Sequence, residues 1–272
     1  MTVTSRNYLA SLPIINAIIQ LLATVSSYVL AVLLDPKLKG RYLPYPSDLM
    51  VDQPQRGIFA IGLGISGALT FCMVVLRYIQ IRSIYPRHCQ KINEISLTFG
   101  TLMVLGQVSV PAYSVVELEI VHFIIACIFF AFACLYMATQ THISRKSTNH
   151  HHSCIATLRL VCSVIACICP FAYVSGRYLA PESEDRYFIP HAAEWVLVLA
   201  LFTFLASFSW DFNRIKLRSY NLDHFSISSA LPGTNYVDYL RSQQERQAKL
   251  RGHKINSGYC DGQSTETKTS KV

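Results

Sequence analysis

The sequence lacks most of what soluble enzymes are built on. Only 15% of its 272 residues are charged. It contains no G-x-S-x-G elbow, no H-E-x-x-H pair and no Walker loop, so the local signatures of α/β-hydrolases, zinc proteases and P-loop enzymes are missing. There is no N-x-[ST] acceptor to report orientation by glycosylation. No nucleic-acid module is recognisable, and the formal net charge of +8 reads as topology plus attraction to an anionic leaflet. No metal, cofactor or nucleic-acid partner is expected, and no catalytic residue is assigned.

What the chain does have is apolar residues, 51% of the total, gathered into blocks. Six blocks, at Leu9–Leu34, Gly57–Ile81, Ile95–Tyr113, Ile120–Thr141, Leu158–Leu179 and Ala192–Trp210, are each long enough as a helix to cross a hydrocarbon core of about 30 Å. In lipid every backbone donor and acceptor must be satisfied within its own segment, so the blocks must be helices. The expected fold is all-α: a polytopic membrane protein with six transmembrane helices in one bundle. The first block runs past a signal-peptide core without a cleavage site and is read as a retained span.

An even number of spans puts both termini on one side. Arg6, Arg77, Arg82, Arg87, Lys91, Arg145, Lys146, Arg159, Arg214, Lys216 and Arg218 flank that side, against Lys37, Lys39, Arg41, Arg56, Arg177 and Arg186 on the other. The more basic side is expected to be cytosolic. On this topology the non-cytosolic loops hold no cysteine, so no structural disulfide is expected there. Cys89 and Cys154 lie near the membrane on the cytosolic side and are candidates for palmitoylation. Beyond Trp210 the composition turns polar, and from Arg241 to Val272 there is too little apolar surface to drive folding. Residues 1–219 are read as the membrane domain and 220–272 as a cytosolic, largely disordered tail.

Residues 62–67, GLGISG, satisfy G-x-G-x-x-G but lie inside an apolar block with no strand before them, and an arginine stands at position 87 where an acid would be needed. They are read instead as helix packing, with Ala60, Gly64 and Ala68 recurring every four residues as a smooth face. His150, His151, His152 and Cys154 lack the second ligand pair of a structural zinc site. Asn16, Gln20 and Gln107 are expected to hydrogen-bond between helices. On the non-cytosolic side stand Asp48, Glu117, Glu119, His122, His191 and Glu194. His191 and Glu194 are three apart and share a helix face, as do Glu119 and His122. His122 and His191 are candidate proton sensors, because histidine titrates in the range of an acidified lumen.

Several short motifs fall on this layout: LPYPSD (43–48) and RGIFAIGL (56–63) in and after loop one, LRY (76–78) in the second span, IVH (120–122) opening the fourth, AEW (193–195) and WDF (210–212) in the sixth. With them the chain resembles, from about Leu9 to Arg218, the DRAM family, named for a damage-regulated autophagy modulator. That family sits in a superfamily with an FGF-receptor-activating protein, a GPI-lipid-remodelling factor and the N-terminal domain of a yeast cell-wall protein. The resemblance implies a non-enzymatic six-helix protein of lysosomal, endosomal or plasma membranes, with Pro44, Tyr45, Ser47, Asp48, His122, Glu194 and Trp195 at family positions. The long basic tail departs from the short tails of the autophagy branch. Asp48 is expected to cap or pair with a polar group and hold loop one over the bundle.

Three functions follow as expectations. The first is regulation of autophagy at lysosomal or endosomal membranes, through membrane lipids and other membrane or cytosolic regulatory proteins. The second is organisation of phosphoinositide kinase complexes at the plasma membrane. The third is a lipid- or GPI-glycolipid-handling enzyme or carrier using His122, His191 and Glu194.

Overall fold

The computed structural model describes residues 8–34, 44–84, 89–113, 116–146, 153–176, 185–213, 215–220 and 224–229. Among these residues seven helices follow in order: α1 (Leu12–Leu34), α2 (Gln55–Ile84), α3 (Gln90–Ser109), α4 (Glu119–Lys146), α5 (Ser153–Val174), α6 (Asp185–Ala206) and the short α7 (Phe208–Phe212). Short 3-10 turns lie at Tyr8–Ser11, Pro46–Met50 and Val110–Ala112. Among the described residues six helical segments are long and apolar enough to cross a membrane, α7 continuing the sixth. Each overlaps one of the six blocks read from the sequence, the fifth block running on into residues 177–179, outside the described ones. Lys37, Lys39, Arg41, Arg87, Arg177, His150–His152 and the tail from 230 onward lie outside the described residues.

Consecutive helices are neighbours, and α6 returns against α1 to close the ring. Ile14, Ile18, Leu22, Val25, Val29 and Leu33 of α1 are exposed, as a surface facing hydrocarbon should be. The face turned inward is polar: Asn16, Gln20, Thr24 and Ser27 are all buried.

That polar face sets the register of α1 on α2. Asn16 Nδ2 donates to Thr70 Oγ1 at 3.2 Å and, one turn on, Gln20 Nε2 donates to Ser66 Oγ at 2.5 Å. Ser27 Oγ donates to the Gln55 carbonyl at 3.1 Å. From α3, Gln107 Nε2 reaches the same Ser66 hydroxyl at 3.0 Å. Asn16, Gln20 and Gln107 thus make the interhelical bonds expected of them.

Close approach of α1 and α2 depends on Gly62, where an added Cβ would fall on the Cβ of Ala23. The expected smooth face of Ala60, Gly64 and Ala68 is not the packing face. Ala60 is half-buried, Gly64 and Ala68 are exposed, and nothing lies within 4 Å of a Cβ built on Gly64. The helix turns its other side inward, because that side carries the hydroxyls of Ser66 and Thr70 that the amides of α1 and α3 require.

Cys89 is buried beside Ile81 and Ile143, so its thiol is not presented for acylation, whereas Cys154 is exposed at the start of α5. After α7 the chain forms an antiparallel ribbon, β1 (Ile215–Tyr220) with β2 (His224–Ser229), in the register Ile215↔Ser229 to Tyr220↔His224. β1, but for Tyr220, falls in the residues read as the membrane domain, and β2 falls in the segment expected to be largely disordered. The apolar residues Leu217, Phe225 and Ile227 alternate with polar ones, the period-2 pattern of a strand, and buried Ile215 anchors the ribbon to the bundle core.

Candidate functional site

At the loop-one end the chain approaches α2 through PYPSD. Residues before proline avoid the α region, and Tyr45 is extended at φ −64°, ψ 146°. Pro46 then starts the 3-10 turn. Asp48 closes it by accepting the Tyr45 N–H on Oδ2 at 3.0 Å, while its own N–H donates to the Tyr45 carbonyl at 3.0 Å. The turn drops Leu49, fully buried, among Ala31, Phe59 and Val110.

Three residues of α6 take hold of this turn. Trp195 Nε1 donates to the Pro44 carbonyl at 2.9 Å, and Ser47 Oγ reaches Glu194 Oε2 at 3.4 Å. The imidazole of His191 stacks on the Tyr45 ring, with centroids 3.5 Å apart and planes 17° from parallel. Tyr173 of α5 lies 6.0 Å beyond Tyr45, and Tyr28 of α1 meets Trp195 edge-on at 6.0 Å. His191, Glu194 and Trp195 stand at helical spacing on one face, so a single surface of α6 straps loop one across the bundle. Asp48 shapes the turn, and α6 holds it.

His122 does a different job. It is buried on α4, and its Nδ1 lies 2.8 Å from the Tyr113 carbonyl, fastening the link between α3 and α4. On the same link Arg56 Nη2 donates to the Ala112 carbonyl at 3.2 Å, and its Nη1 lies 3.7 Å from the exposed Glu117 carboxylate. Among the described residues no three His, Cys, Asp or Glu side chains converge as a metal site.

At the opposite end lies a cluster that charge counting misread. Arg77 and Arg159 count among the charges flanking the membrane when the sequence is read alone, yet they are 5% and 1% exposed inside the bundle. Both hold Asp211 of α7: Arg77 Nη1 lies 3.0 Å from Oδ1, and Arg159 Nη2 bonds Oδ2. Arg77 also donates from Nε to Gln140 Oε1 at 3.2 Å and from Nη1 to Gln80 Oε1 at 2.7 Å. Arg159 donates to Ser207 Oγ at 2.8 Å and to Ser144 Oγ at 2.7 Å. Both guanidinium groups overlie the Phe208 ring, at 5.6 and 4.9 Å from its centroid. An ionised group costs several kcal/mol to bury unless paired and hydrogen-bonded, and this cluster supplies both kinds of partner. The signal in the sequence was an arginine inside each of two apolar blocks, which in a membrane protein marks a functional candidate.

A family model described as the Frag1/DRAM/Sfk1/Cwh43P N-terminal domain matches residues 8–215. The chain is 28% identical over 233 residues to DNA damage-regulated autophagy modulator protein 2 of Rattus norvegicus, covering 76% of this chain and 85% of that one. The human protein of the same name is 29% identical over 220 residues, covering 72% and 81%. Human DNA damage-regulated autophagy modulator protein 1 is 26% identical over 215 residues, covering 72% and 87%. No solved structure matches the chain.

Proposed function

The chain belongs to the Frag1/DRAM/Sfk1/Cwh43P N-terminal domain family, and on that premise we propose that it is a non-enzymatic regulator of autophagy that acts through partners at lysosomal or endosomal membranes, with both termini in the cytosol. The observation carrying this reading is the similarity, over about three quarters of the chain, to proteins named as autophagy modulators. The test is the steady-state location of the protein tagged at its C-terminus, together with lysosomal flux in cells lacking it. Lysosomal or endosomal residence with impaired flux is the expected result. Residence at the plasma membrane with normal flux would overturn the proposal.

Within this reading His191 is the group on which an acidified lumen acts. It faces the Tyr45 ring from loop one, with Tyr173 of α5 behind. The carboxylates of the strap are Glu194 on its own helix and Asp48 on the turn. Protonation turns the stacked pair into a cation over an aromatic face, so the hold of the strap depends on luminal pH. The pH profile of the thermal midpoint between about pH 7 and pH 5 should therefore differ from that of a His191→Phe variant, which keeps a stacked ring but binds no proton. Parallel pH profiles for the two proteins would remove His191 as a sensor.

A further inference from the structure

The guanidinium pair at the α7 end carries more positive charge than the described residues around it balance. Among the described residues Asp211 is the one carboxylate within ion-pair reach of Arg77 or Arg159, so the cluster keeps a net charge of about +1 in an interior where an unbalanced ion is expensive.

A second, independent feature lies beside it. Tyr136 of α4 is fully buried, and its hydroxyl has no hydrogen-bond partner among the described residues. Its ring meets Phe208 edge-on at 6.2 Å, the same ring that both guanidinium groups overlie. Arg77, Arg159 and Asp211 are the charged groups that act on it. A phenol can donate as well as accept, so an excess of positive charge and an unpartnered hydroxyl pack against one ring, Phe208, and an anion would satisfy both.

The depth of the cluster says how an anion reaches it. α2 has 30 residues, about 45 Å at 1.5 Å per residue, and so extends about 7 Å past each edge of a 30 Å hydrocarbon core. Arg77 lies two turns, about 10 Å, before the helix ends at Ile84. The backbone of Arg77 therefore sits about 3 Å inside the hydrocarbon edge, within side-chain reach of the headgroup layer. The side chain of Asp211, 18% exposed, is its outward edge. Arg82, Arg145 and Lys146 are exposed at the same helix ends and raise the local concentration of anions.

We propose that Arg77, Arg159 and Tyr136 form a binding site for a phosphate-class oxyanion, presented as the headgroup of an anionic lipid or as free phosphate. The anion takes the Tyr136 hydroxyl and the guanidinium groups as donors and brings the second negative charge that the arginine pair lacks. This site is separate from the loop-one strap and does not depend on the autophagy reading.

The test uses full-length, extensively delipidated protein, with thermal midpoints read against two probes: inorganic phosphate in detergent, and phosphatidic acid in phosphatidylcholine bilayers compared with phosphatidylcholine alone. Stabilisation by phosphatidic acid alone assigns the lipid headgroup, and stabilisation by both assigns the phosphate group itself. Arg77→Gln should abolish the response. Because that variant disturbs the ion cluster, Tyr136→Phe decides the matter: it removes one oxygen that no described residue hydrogen-bonds, and the expected effect is binding weaker by about tenfold in a protein that still folds. No stabilisation by either probe would overturn the proposal. So would a Tyr136→Phe protein that is more stable than the parent without added anion and responds to the probes equally well, since the hydroxyl would then be an unsatisfied donor and nothing more.

Discussion

Trp195 and Asp211 show how much one side chain carries in this protein. The indole N–H of Trp195 reaches back to the Pro44 carbonyl, across most of the length of the chain. Trp195→Phe keeps the ring against Tyr28 and loses only that bond, so a loss of about 1 kcal/mol is expected, measured by thermal unfolding in a lipid bilayer. Asp211→Asn is a harsher change. It leaves two buried guanidinium groups without a counter-charge, and breaking one side of a buried pair costs about 3–5 kcal/mol. Combining it with Arg159→Met, which removes one of the stranded charges, should recover part of the loss in the same assay. Both residues were visible in the sequence as members of short motifs. Their partners were not: an arginine near the end of an apolar block looks alike whether its head snorkels to water or turns inward, and only the packing of α4, α5 and α7 around Arg77 and Arg159 decides between the two.

The pairing of α1 with α2 shows what a helix-length reading can and cannot see. That GLGISG is a packing segment and not a nucleotide loop was legible from its apolar surroundings. Which side of it packs was not, because small residues line both. Gly62 and Gly64 are about 200° apart around the axis, and each heads a stripe of small side chains. The deciding residues are the hydroxyls on the Gly62 side, which match amides one turn apart on α1; in lipid such groups are costly to leave alone. Gly62→Ala should cost about 1–3 kcal/mol by forcing Ala23 and its helix outward. Gly64→Ala adds a methyl to open space and should be neutral or stabilising by up to about 1 kcal/mol. Unfolding titrations of the two variants side by side check the assignment of faces, and equal losses would contradict it.

The six-helix bundle itself was the most legible feature of the whole molecule, because the bilayer dictates both the length and the composition of each crossing. The ribbon after α7 escaped because composition over a long window hid a short alternating pattern within it. Closure of the ring was also invisible, since nothing local announces that the sixth crossing meets the first. At the loop-one end that meeting is made by the α6 strap. At the other end Ser209 Oγ donates to the Ala10 carbonyl at 2.6 Å, and the turn at Tyr8–Ser11 packs on α7. The bundle therefore has no outermost helix in the chain sense, and the first and last crossings meet at one end. A circularly permuted chain that joins α7 to the Tyr8 turn by a short linker and begins at α5 keeps every helix crossing in its original direction. Such a permutant should insert and fold with nearly the parent's thermal midpoint. The order in which the helices leave the ribosome would then be a matter of assembly history, with no bearing on the final architecture.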